Sequence, residues 1–252
     1  MLQFDITADS RTGKVRTNNE DMLLVDSWYI RDNNISVSFS TDSSDRYLLA
    51  LADGMGGHKS GEVASSDVLQ NLCFFFNDLP VSLKTAEFTE AIFGWLESIN
   101  HTLAAKSKTT PQYYEMGTTL VALAYYNKHF YWMNCGDSRL YRLHEGKLQQ
   151  MTTDHSLNNL LGTSDHSNVI TNCIGGGCTT SFIDLNDCTD LILPGDTFML
   201  CSDGLTDMIS DNEIQQLLND GGNASALCQA AENEGGFDNV SVIVAKCTKT
   251  GE

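Results

Sequence analysis

The sequence has 252 residues, 41% of them hydrophobic and 19% charged, which suits a globular protein with a substantial core and excludes a disordered chain. The formal net charge is −18, from 33 acidic and 15 basic residues. This charge argues against nucleic acid or an anionic membrane as the main partner, because both are bound by basic surfaces. No window approaches the roughly eighteen apolar residues of a membrane-spanning helix, and the first residues lack the features of a signal peptide. We therefore expect a cytoplasmic protein without a membrane partner.

The beginning of the chain predicts two strands separated by a polar loop. Residues 2–8 alternate between apolar and polar side chains, and residues 22–25 form a short apolar run. The loop between them carries a charged cluster at residues 16–21. Residues 26–45 are rich in Asn, Ser and Asp, and we expect them to form a surface excursion.

Residues 47–52 form a continuous apolar run that leads directly into Asp53 and then into glycines. This pattern predicts a buried strand that ends in a tight turn, and the glycines let backbone groups approach whatever Asp53 holds. Ser60 can cap the helix that follows. A second helix is predicted from the apolar spacing over residues 88–103. We interpret both helices as packing elements that cover a sheet.

Residues 117–151 predict a meander of strands, with Gly136 and Asp137 at a break between two of them. From about residue 154 to residue 194 the pattern loosens, and Asn, Ser, Thr and Gly become frequent. We expect a mobile insertion here that contains one short helix and forms a flap over a site. The candidate substrate-contacting residues of this flap are Gly162, Gly175 and Gly176.

Residues 196–204 repeat the pattern seen at Asp53, with an apolar strand followed by an aspartate and a glycine. Asp207 lies four residues after Asp203, so the two carboxylates can face one point across a helical turn. The same strand-end arrangement of acidic residues thus occurs at least twice in the chain.

The last part of the chain predicts two helices, at about residues 211–219 and 224–232, and a final strand over residues 240–245. Asp238 and Asn239 come directly before that strand. Acidic residues at predicted strand ends are therefore spread over nearly the whole sequence. If they converge on one site, residues 1–252 must form a single domain, because the first and last parts build the same site.

Six motifs together carry a resemblance to a known family. In chain order they are Arg16-x-x-x-Glu20-Asp21, Asp53-Gly54-Met55-Gly56-Gly57, Gly117-Thr118-Thr119, Gly136-Asp137-Ser138-Arg139, Ser202-Asp203-Gly204-Leu205-x-Asp207 and Asp238-Asn239. Their order and spacing resemble those of the metal-dependent protein phosphatases, the PP2C or PPM family, and its bacterial branch in particular. The resemblance extends from about residue 7 to residue 246.

The resemblance implies an α/β fold, a four-layer sandwich of two central, mainly antiparallel β-sheets flanked by helices, with metals at one end. It implies hydrolysis of phosphoserine and phosphothreonine esters on a protein by a water activated between two metal ions, in opposition to a Ser/Thr kinase. The chain is expected to be a monomer. The implied metal ligands are Glu20, Asp21, Asp53, the Gly54 carbonyl, Asp203 and Asp238, with Asp53 bridging both ions. Asp137 and Asp207 match the positions of a third, weaker metal.

The chemistry of these residues agrees with the resemblance. A site of carboxylates and a carbonyl suits the hard cations Mn²⁺ or Mg²⁺, whereas the eight cysteines form no Cys-x-x-Cys pair for a structural zinc site. Two such ions can activate water and clamp a phosphoryl group. The implied role of Arg16 is to grip the phosphate oxygens, because its planar guanidinium matches their geometry better than Lys does.

Two alternatives to this function stay open from the sequence. One is a catalytically weak pseudophosphatase that uses the same surface as a binding module, and the other is an enzyme for small phosphorylated molecules. The proton donor is also open, because Met55 stands where animal relatives have a histidine, and His58 is a nearby candidate that does not match the family position.

Overall fold

The computed structural model describes residues 1–56, 60–162, 169–178 and 180–249. The strands within these ranges are β1 (Leu2–Arg11), β2 (Met22–Val25), β3 (Trp28–Ile30), β4 (Asn33–Ser40), β5 (Arg46–Ala52), β6 (Gly54–Met55), β7 (Gly117–Thr118), β8 (Leu120–Tyr126), β9 (His129–Cys135), β10 (Arg139–His144), β11 (Lys147–Gln150), β12 (Ile174–Gly175), β13 (Asp184–Asp187), β14 (Thr197–Cys201) and β15 (Val240–Lys249). The α-helices are α1 (Ser60–Asp78), α2 (Thr85–Thr109), α3 (Leu157–Leu161), α4 (Asp203–Thr206), α5 (Asp211–Asn219) and α6 (Ala224–Asn233). Short 3₁₀ helices cover Pro111–Tyr113 and Thr189–Leu191.

Most of the strands form two six-stranded sheets. Sheet I has the order β11–β10–β14–β15–β1–β4, and sheet II has the order β13–β9–β8–β5–β2–β3. A small sheet of three strands has the order β12–β7–β6. The strand pairs in all three sheets are antiparallel.

Three apolar cores separate four layers. Side chains of both large sheets, such as Ile6, Leu51 and Phe198, pack together between sheet I and sheet II. The other face of sheet II packs against α1 and α2, and the other face of sheet I packs against α4, α5 and α6. The predicted sandwich of two antiparallel sheets flanked by helices is therefore confirmed.

Strand β5 shows why the apolar run at residues 47–52 is continuous rather than alternating. Leu49 and Leu51 point into the core between the sheets, whereas Leu48, Ala50 and Ala52 point into the core beneath α1 and α2. Because both faces of the strand are covered, every residue from 48 to 52 is buried and apolar.

Two predictions about the strands were wrong. Residues 26–45 do not form a simple polar excursion, because β3 and β4 lie there and pair with β2 and β1 as edge strands. Residues 117–151 do not form one meander, because β9 belongs to sheet II and β10 pairs with β14 in sheet I. The chain changes sheets at Gly136, whose φ of 121° is a conformation that favours glycine.

The expected flap at residues 154–194 is also corrected. Its short helix is present as α3, but β12 joins the small sheet and β13 pairs with β9. The side chains of Ile174, Ile183 and Ile192 are buried. The described part after residue 169 is thus packed into the fold, while residues 163–168 lie outside the described ranges.

No helix in the described ranges is long and apolar enough to cross a membrane.

Candidate active site

The acidic residues predicted at strand ends meet at one edge of the two sheets. Asp21 comes directly before β2, and Asp53 follows β5, its neighbour in sheet II. In sheet I, Asp203 follows the end of β14 and Asp238 comes before its neighbour β15. A hydrogen bond of 2.9 Å from Ser202 Oγ to Asp21 Oδ2 joins the two sheets at this edge. We call Glu20, Asp21, Asp53, Asp137, Asp203, Asp207 and Asp238 the carboxylate cluster.

The negative charges of the cluster are close enough to disturb one another. Burial raises the pKa of Asp53 well above its usual range, and the charges of Asp21, Asp203, Asp137 and Asp238 raise it further. Burial also raises the pKa of Asp203, and its carboxylate neighbours add to this effect. A cation between these groups would relieve the repulsion, so the electrostatics fit a metal site.

Asp21 offers a second sign that a ligand belongs here. Its side chain is buried, and burial raises its pKa although the nearby hydroxyls of Ser241 and Ser202 oppose the shift. Its Oδ2 atom accepts the bond from Ser202, but its Oδ1 atom has no hydrogen-bond partner among the described residues. A buried carboxylate oxygen without a partner is costly unless something else, such as a cation, satisfies it.

Gly54 is required by the close approach of two backbones. Its N–H donates to the Glu20 carbonyl at 3.2 Å. A Cβ atom at this position would lie 2.1 Å from the Gly61 carbonyl oxygen in α1 and 2.7 Å from that of Glu20. Any other residue would therefore push α1 and the Glu20 loop away from Asp53. This packing explains the glycine that follows the aspartate in the motif.

Arg16 lies at the exposed rim of the cluster. Its Nη2 atom is 2.7 Å from Asp238 Oδ2, and about half of its side chain (53%) is exposed. The ion pair with Asp238 raises the pKa of Arg16, and the charges of Glu20 and Asp203 act in the same direction. The guanidinium is thus held beside the carboxylates with donors still open to solvent.

Asn239 has a positioning role that the sequence reasoning did not assign. Its Nδ2 atom donates to the carbonyls of Thr12 and Asn18, each at 2.9 Å, and its Oδ1 atom accepts from the Glu20 N–H at 2.9 Å. One side chain thereby holds the loop that carries Arg16. The signal was available in the sequence, because this asparagine belongs to the Asp238-Asn239 motif.

Thr119 positions Asp53 from the neighbouring strand. Its Oγ1 atom accepts from the Asp53 N–H at 3.0 Å, and its N–H donates to the Asp53 carbonyl at 2.9 Å. Thr118 Oγ1 donates to the same carbonyl at 2.7 Å, and Ser138 Oγ lies 2.7 Å from Thr119 Oγ1. These contacts give a structural reason for the Gly-Thr-Thr motif, to which no role was assigned from the sequence.

The two residues predicted for a third metal, Asp137 and Asp207, are members of the cluster whose charges also act on Asp203. Burial raises the pKa of Asp137 to about 6, with the charges of Asp154 and Asp207 adding to the effect. Asp207 ends α4, and its N–H donates to the Asp203 carbonyl at 2.8 Å. Arg139, next in the same motif, is engaged elsewhere, because its guanidinium donates to both carboxylate oxygens of Asp154.

The carboxylate cluster does not form a ready coordination shell. In the described part of the chain, no three His, Cys, Asp or Glu side chains form a group that could hold a metal ion as they stand. Asp21 is turned toward Ser202, and Asp238 is turned toward Arg16. The donor chemistry and the mutual repulsion nevertheless fit a hard cation.

The three predicted flap residues lie in two different parts of the fold. Gly162 ends α3 in a left-handed conformation and is exposed. Gly175 and Gly176 instead lie in or beside the small sheet, where the N–H of Gly176 donates to the Met116 carbonyl at 2.7 Å. The proposed donor His58 lies outside the described residues.

Comparison with known proteins shows which proteins the chain is similar to. The family model described as "Protein phosphatase 2C" matches residues 32–233, more than half of the chain. The serine/threonine protein phosphatase PstP of Mycobacterium tuberculosis is 32% identical over 97% of the chain, and the chain spans 45% of the length of that relative. The serine/threonine phosphatase stp of Listeria monocytogenes is 28% identical, with 95% of each protein covered.

A solved structure supports the same relationship. The catalytic domain of PstP in complex with two manganese ions has a TM-score of 0.76 against this chain and is 31% identical. The match covers 99% of this chain and 100% of the other. The structural comparison and the sequence comparison therefore identify the same group of relatives.

Proposed function

Since the chain belongs to the protein phosphatase 2C family, whose named relatives are serine/threonine protein phosphatases, we propose that its carboxylate cluster dephosphorylates phosphoserine and phosphothreonine in proteins. The observation that carries this proposal is the meeting of four mutually repelling carboxylates, Asp21, Asp53, Asp203 and Asp238, at one edge of the sandwich. Such a group has no purpose in packing, because it opposes folding unless a cation compensates it.

The cluster would bind two metal ions, either Mn²⁺ or Mg²⁺. Asp53 would be shared between the ions, the Gly54 carbonyl and Asp203 and Asp238 would complete the shells, and Glu20 and Asp21 would act directly or through water. Support comes from the oxygen-only donor set and from the two manganese ions in the PstP structure. When bound, such ions lower the pKa of a water molecule and offset charge on the transferring phosphoryl group. Asp137 and Asp207 are proposed for a third, weaker ion.

Arg16 would bind the phosphate group of the substrate. Its exposed guanidinium stands at the rim, and the bond to Asp238 fixes the direction of one nitrogen while leaving other donors free. This arrangement orients the phosphoryl group toward the carboxylates. Met55 cannot donate a proton to the leaving alkoxide, so that role stays with water or another group.

The substrate peptide would approach past two exposed apolar side chains. Val15 is 59% exposed and Phe237 is 60% exposed. They are adjacent in sequence to Arg16 and Asp238, which form the ion pair, and the Lys14 N–H donates to the Gly236 carbonyl at 2.8 Å between the two loops. We call Val15 and Phe237 the apolar rim, and we propose that residues next to the phosphorylated one contact it.

The two alternative functions predict different behaviour. A pseudophosphatase would bind phosphopeptides without turning them over, although nothing in the cluster is missing to suggest this. An enzyme for small phosphorylated molecules would hydrolyse an aryl phosphate and phosphopeptides without preferring the peptides. The named relatives favour the protein phosphatase.

The test is phosphate release from phosphothreonine peptides and from an aryl phosphate, each with Mn²⁺, with Mg²⁺ and after chelation. We expect metal-dependent turnover with a higher kcat/KM for the peptides. Asp53→Asn serves as the control for contaminating phosphatase, because it removes one charge and keeps the size of the side chain. Binding of peptides without turnover at any metal concentration would refute the proposal.

The cellular setting is part of the same proposal. We propose a monomer in the cytoplasm that opposes a serine/threonine kinase. Support for a reducing compartment comes from the eight cysteines, all of which are free thiols. Sedimentation of the purified chain tests the monomer.

A further inference from the structure

Two thiols lie side by side in the segment 173–178, which contains β12 of the small sheet and the turn that follows it. The Sγ atoms of Cys173 and Cys178 are 3.5 Å apart and share a hydrogen bond. Cys173 is buried, whereas Cys178 is partly exposed, and it is the only one of the eight cysteines, all of them in the described ranges, that is not buried. The thiol that solvent can reach is therefore the one with a second thiol beside it.

We propose that Cys173 and Cys178 form a reversible disulfide when the protein meets a peroxide, and that this bond lowers the activity of the carboxylate cluster. The formation of the bond does not depend on the proposed function, but its effect on turnover does. We call residues 173–178 the thiol segment.

The backbone of the thiol segment permits the bond. Gly175, Gly176 and Gly177 all have positive φ values, of 77°, 59° and 76°, so the chain between the cysteines turns back on itself. The Cys178 N–H donates to the Gly175 carbonyl at 2.9 Å and closes this turn. A disulfide needs the sulfur atoms at about 2.05 Å, so they must approach by roughly 1.5 Å, which draws the two ends of this turn together.

An oxidant can reach the pair through Cys178. Cys178 lines a cleft of about 430 Å³ together with residues of α2 and Met116. Burial and the neighbouring Cys178 raise the pKa of Cys173 to about 12. Cys173 therefore stays a thiol and does not react first, which gives Cys178 the role of the attacking group and Cys173 the role of the resolving group.

The chemistry balances with one peroxide molecule. The Cys178 thiolate attacks one oxygen of hydrogen peroxide, the O–O bond breaks, and the products are a sulfenic acid and hydroxide, which takes up the proton lost by Cys178 and becomes water. The Cys173 sulfur then attacks the Cys178 sulfur, the S–S bond forms, the S–O bond breaks, and a second water leaves with the Cys173 proton. Two thiols are oxidised and the peroxide is reduced to two waters.

The small sheet connects the thiol segment to the cluster. Ile174, next to Cys173, pairs with Thr118 in β7, and Thr118 pairs on its other side with Gly54 in β6. Thr118 Oγ1 also donates to the Asp53 carbonyl at 2.7 Å. One strand therefore separates the thiols from the backbone that carries two expected metal ligands. A bond that tightens the thiol segment pulls on β12 and shifts this backbone.

The thiol segment is also held firmly on its other side. Asn100 in α2 accepts from the Gly175 N–H at 2.8 Å and from Ser181 Oγ at 3.2 Å, and Ser181 Oγ also donates to the Cys173 carbonyl. Because α2 anchors the segment, strain from the disulfide is transmitted toward β7 rather than released by movement of the segment as a whole.

The experiment treats the full chain with limiting hydrogen peroxide and then with dithiothreitol. We expect an intact mass about 2 Da lower, from the loss of two hydrogen atoms, a peptide map with Cys173 joined to Cys178, and turnover at least several-fold lower that recovers on reduction. Cys178→Ser should resist both the mass change and the inhibition. Cys73→Ser, which removes a buried thiol in α1, is the matched control and should behave like the unaltered chain.

Each other outcome overturns a defined part of the proposal. Absence of the Cys173–Cys178 peptide, with Cys178 unmodified or carried to a higher oxide, overturns the disulfide. A disulfide that leaves turnover and Mn²⁺ affinity unchanged overturns its regulatory effect. If the reduced chain has no phosphatase activity, the mass readout and Mn²⁺ titration still decide the inference, and the proposed function alone fails.

Discussion

The interior of the β-sandwich and its carboxylate edge are built from the same strands. The interior stabilises the folded state, whereas the carboxylate edge destabilises it when no cation is bound. Leu49 and Leu51 of β5 are buried among apolar side chains between the sheets. Two residues later, Asp53 carries a charge that its surroundings disfavour. The comparison shows that the core stabilises a site which, without a cation, works against folding.

The largest expected effect is that of metal removal, because it exposes the carboxylate edge without touching the interior. Chelation with EDTA should reduce turnover by about a thousand-fold or more, since charge stabilisation and water activation are both lost. It should also lower Tm, because a ligand that binds only the folded state stabilises it. Activity assays and calorimetry with Mn²⁺ added back measure both. Full activity after exhaustive chelation contradicts the metal mechanism.

The second prediction compares one substitution in each region of the metal-free protein. Leu51→Ala should destabilise it by about 2–5 kcal/mol, because it leaves a cavity in a closed core. Asp203→Asn should stabilise it by roughly 1–2 kcal/mol, since one unit of pKa shift corresponds to about 1.4 kcal/mol and partial solvent access reduces the effect. Denaturant unfolding after chelation measures the two changes.

The pH dependence sharpens this second prediction. The pKa of Asp203 is raised above its unfolded value of 3.8, so the folded state binds more protons than the unfolded state above that pH. The metal-free protein should therefore lose stability as the pH rises from about 4 toward neutrality and beyond. Asp203→Asn should gain more at pH 8 than at pH 5. An equal gain at both values would mean that the charge of Asp203 is not the cause.

The third prediction separates the two partners of the rim ion pair. Asp238→Asn should weaken Mn²⁺ affinity by about 10- to 100-fold as a lost ligand. Arg16→Ala should leave Mn²⁺ affinity unchanged or tighter, because it frees the Asp238 carboxylate, while it lowers kcat/KM for phosphopeptides. Calorimetric titration decides between these roles. Equal loss of metal in both variants would show that Arg16 acts by holding the site together.

The fourth prediction concerns the weaker third site. Asp137→Ala should retain two tightly bound ions and lose about 10-fold or more in kcat. The reason is that Asp137 lies at the edge of the cluster, where its raised pKa reflects burial and neighbouring charges, without being one of the expected ligands of the pair. Normal turnover at every Mn²⁺ concentration would show that Asp137 serves only the fold.

The smallest effect is expected at the apolar rim. Phe237→Ser should raise KM for phosphopeptides with an apolar neighbour by about 3- to 10-fold and change kcat for a single blocked phosphothreonine little. Trp28→Ser is a matched control, because Trp28 is 61% exposed and pairs with Val25 at the far end of β2 from Asp21. A similar loss in both variants would mean that the rim does not contact substrate.

Much of the fold and of the site could be predicted because the signals are local. An apolar run followed directly by Asp and Gly predicts a buried strand that ends in a tight polar turn, as at Asp53 and Asp203. The apolar spacing of residues 88–103 indicates a helix for the same reason, since side chains three and four residues apart share one face. The order of the motifs indicated the family. The family in turn implies that acidic residues far apart in the sequence form one site.

The rest depended on contacts that no local pattern contains. The sequence did not reveal that the chain passes from sheet II into sheet I at Gly136, because a strand such as β10 with one apolar face can pair in either sheet. Asn239 holds the carbonyl of Thr12, 227 residues away, and such a bond exists only once both strand ends are in place. Local composition determined the elements and their chemistry, and the tertiary structure decided which of them meet.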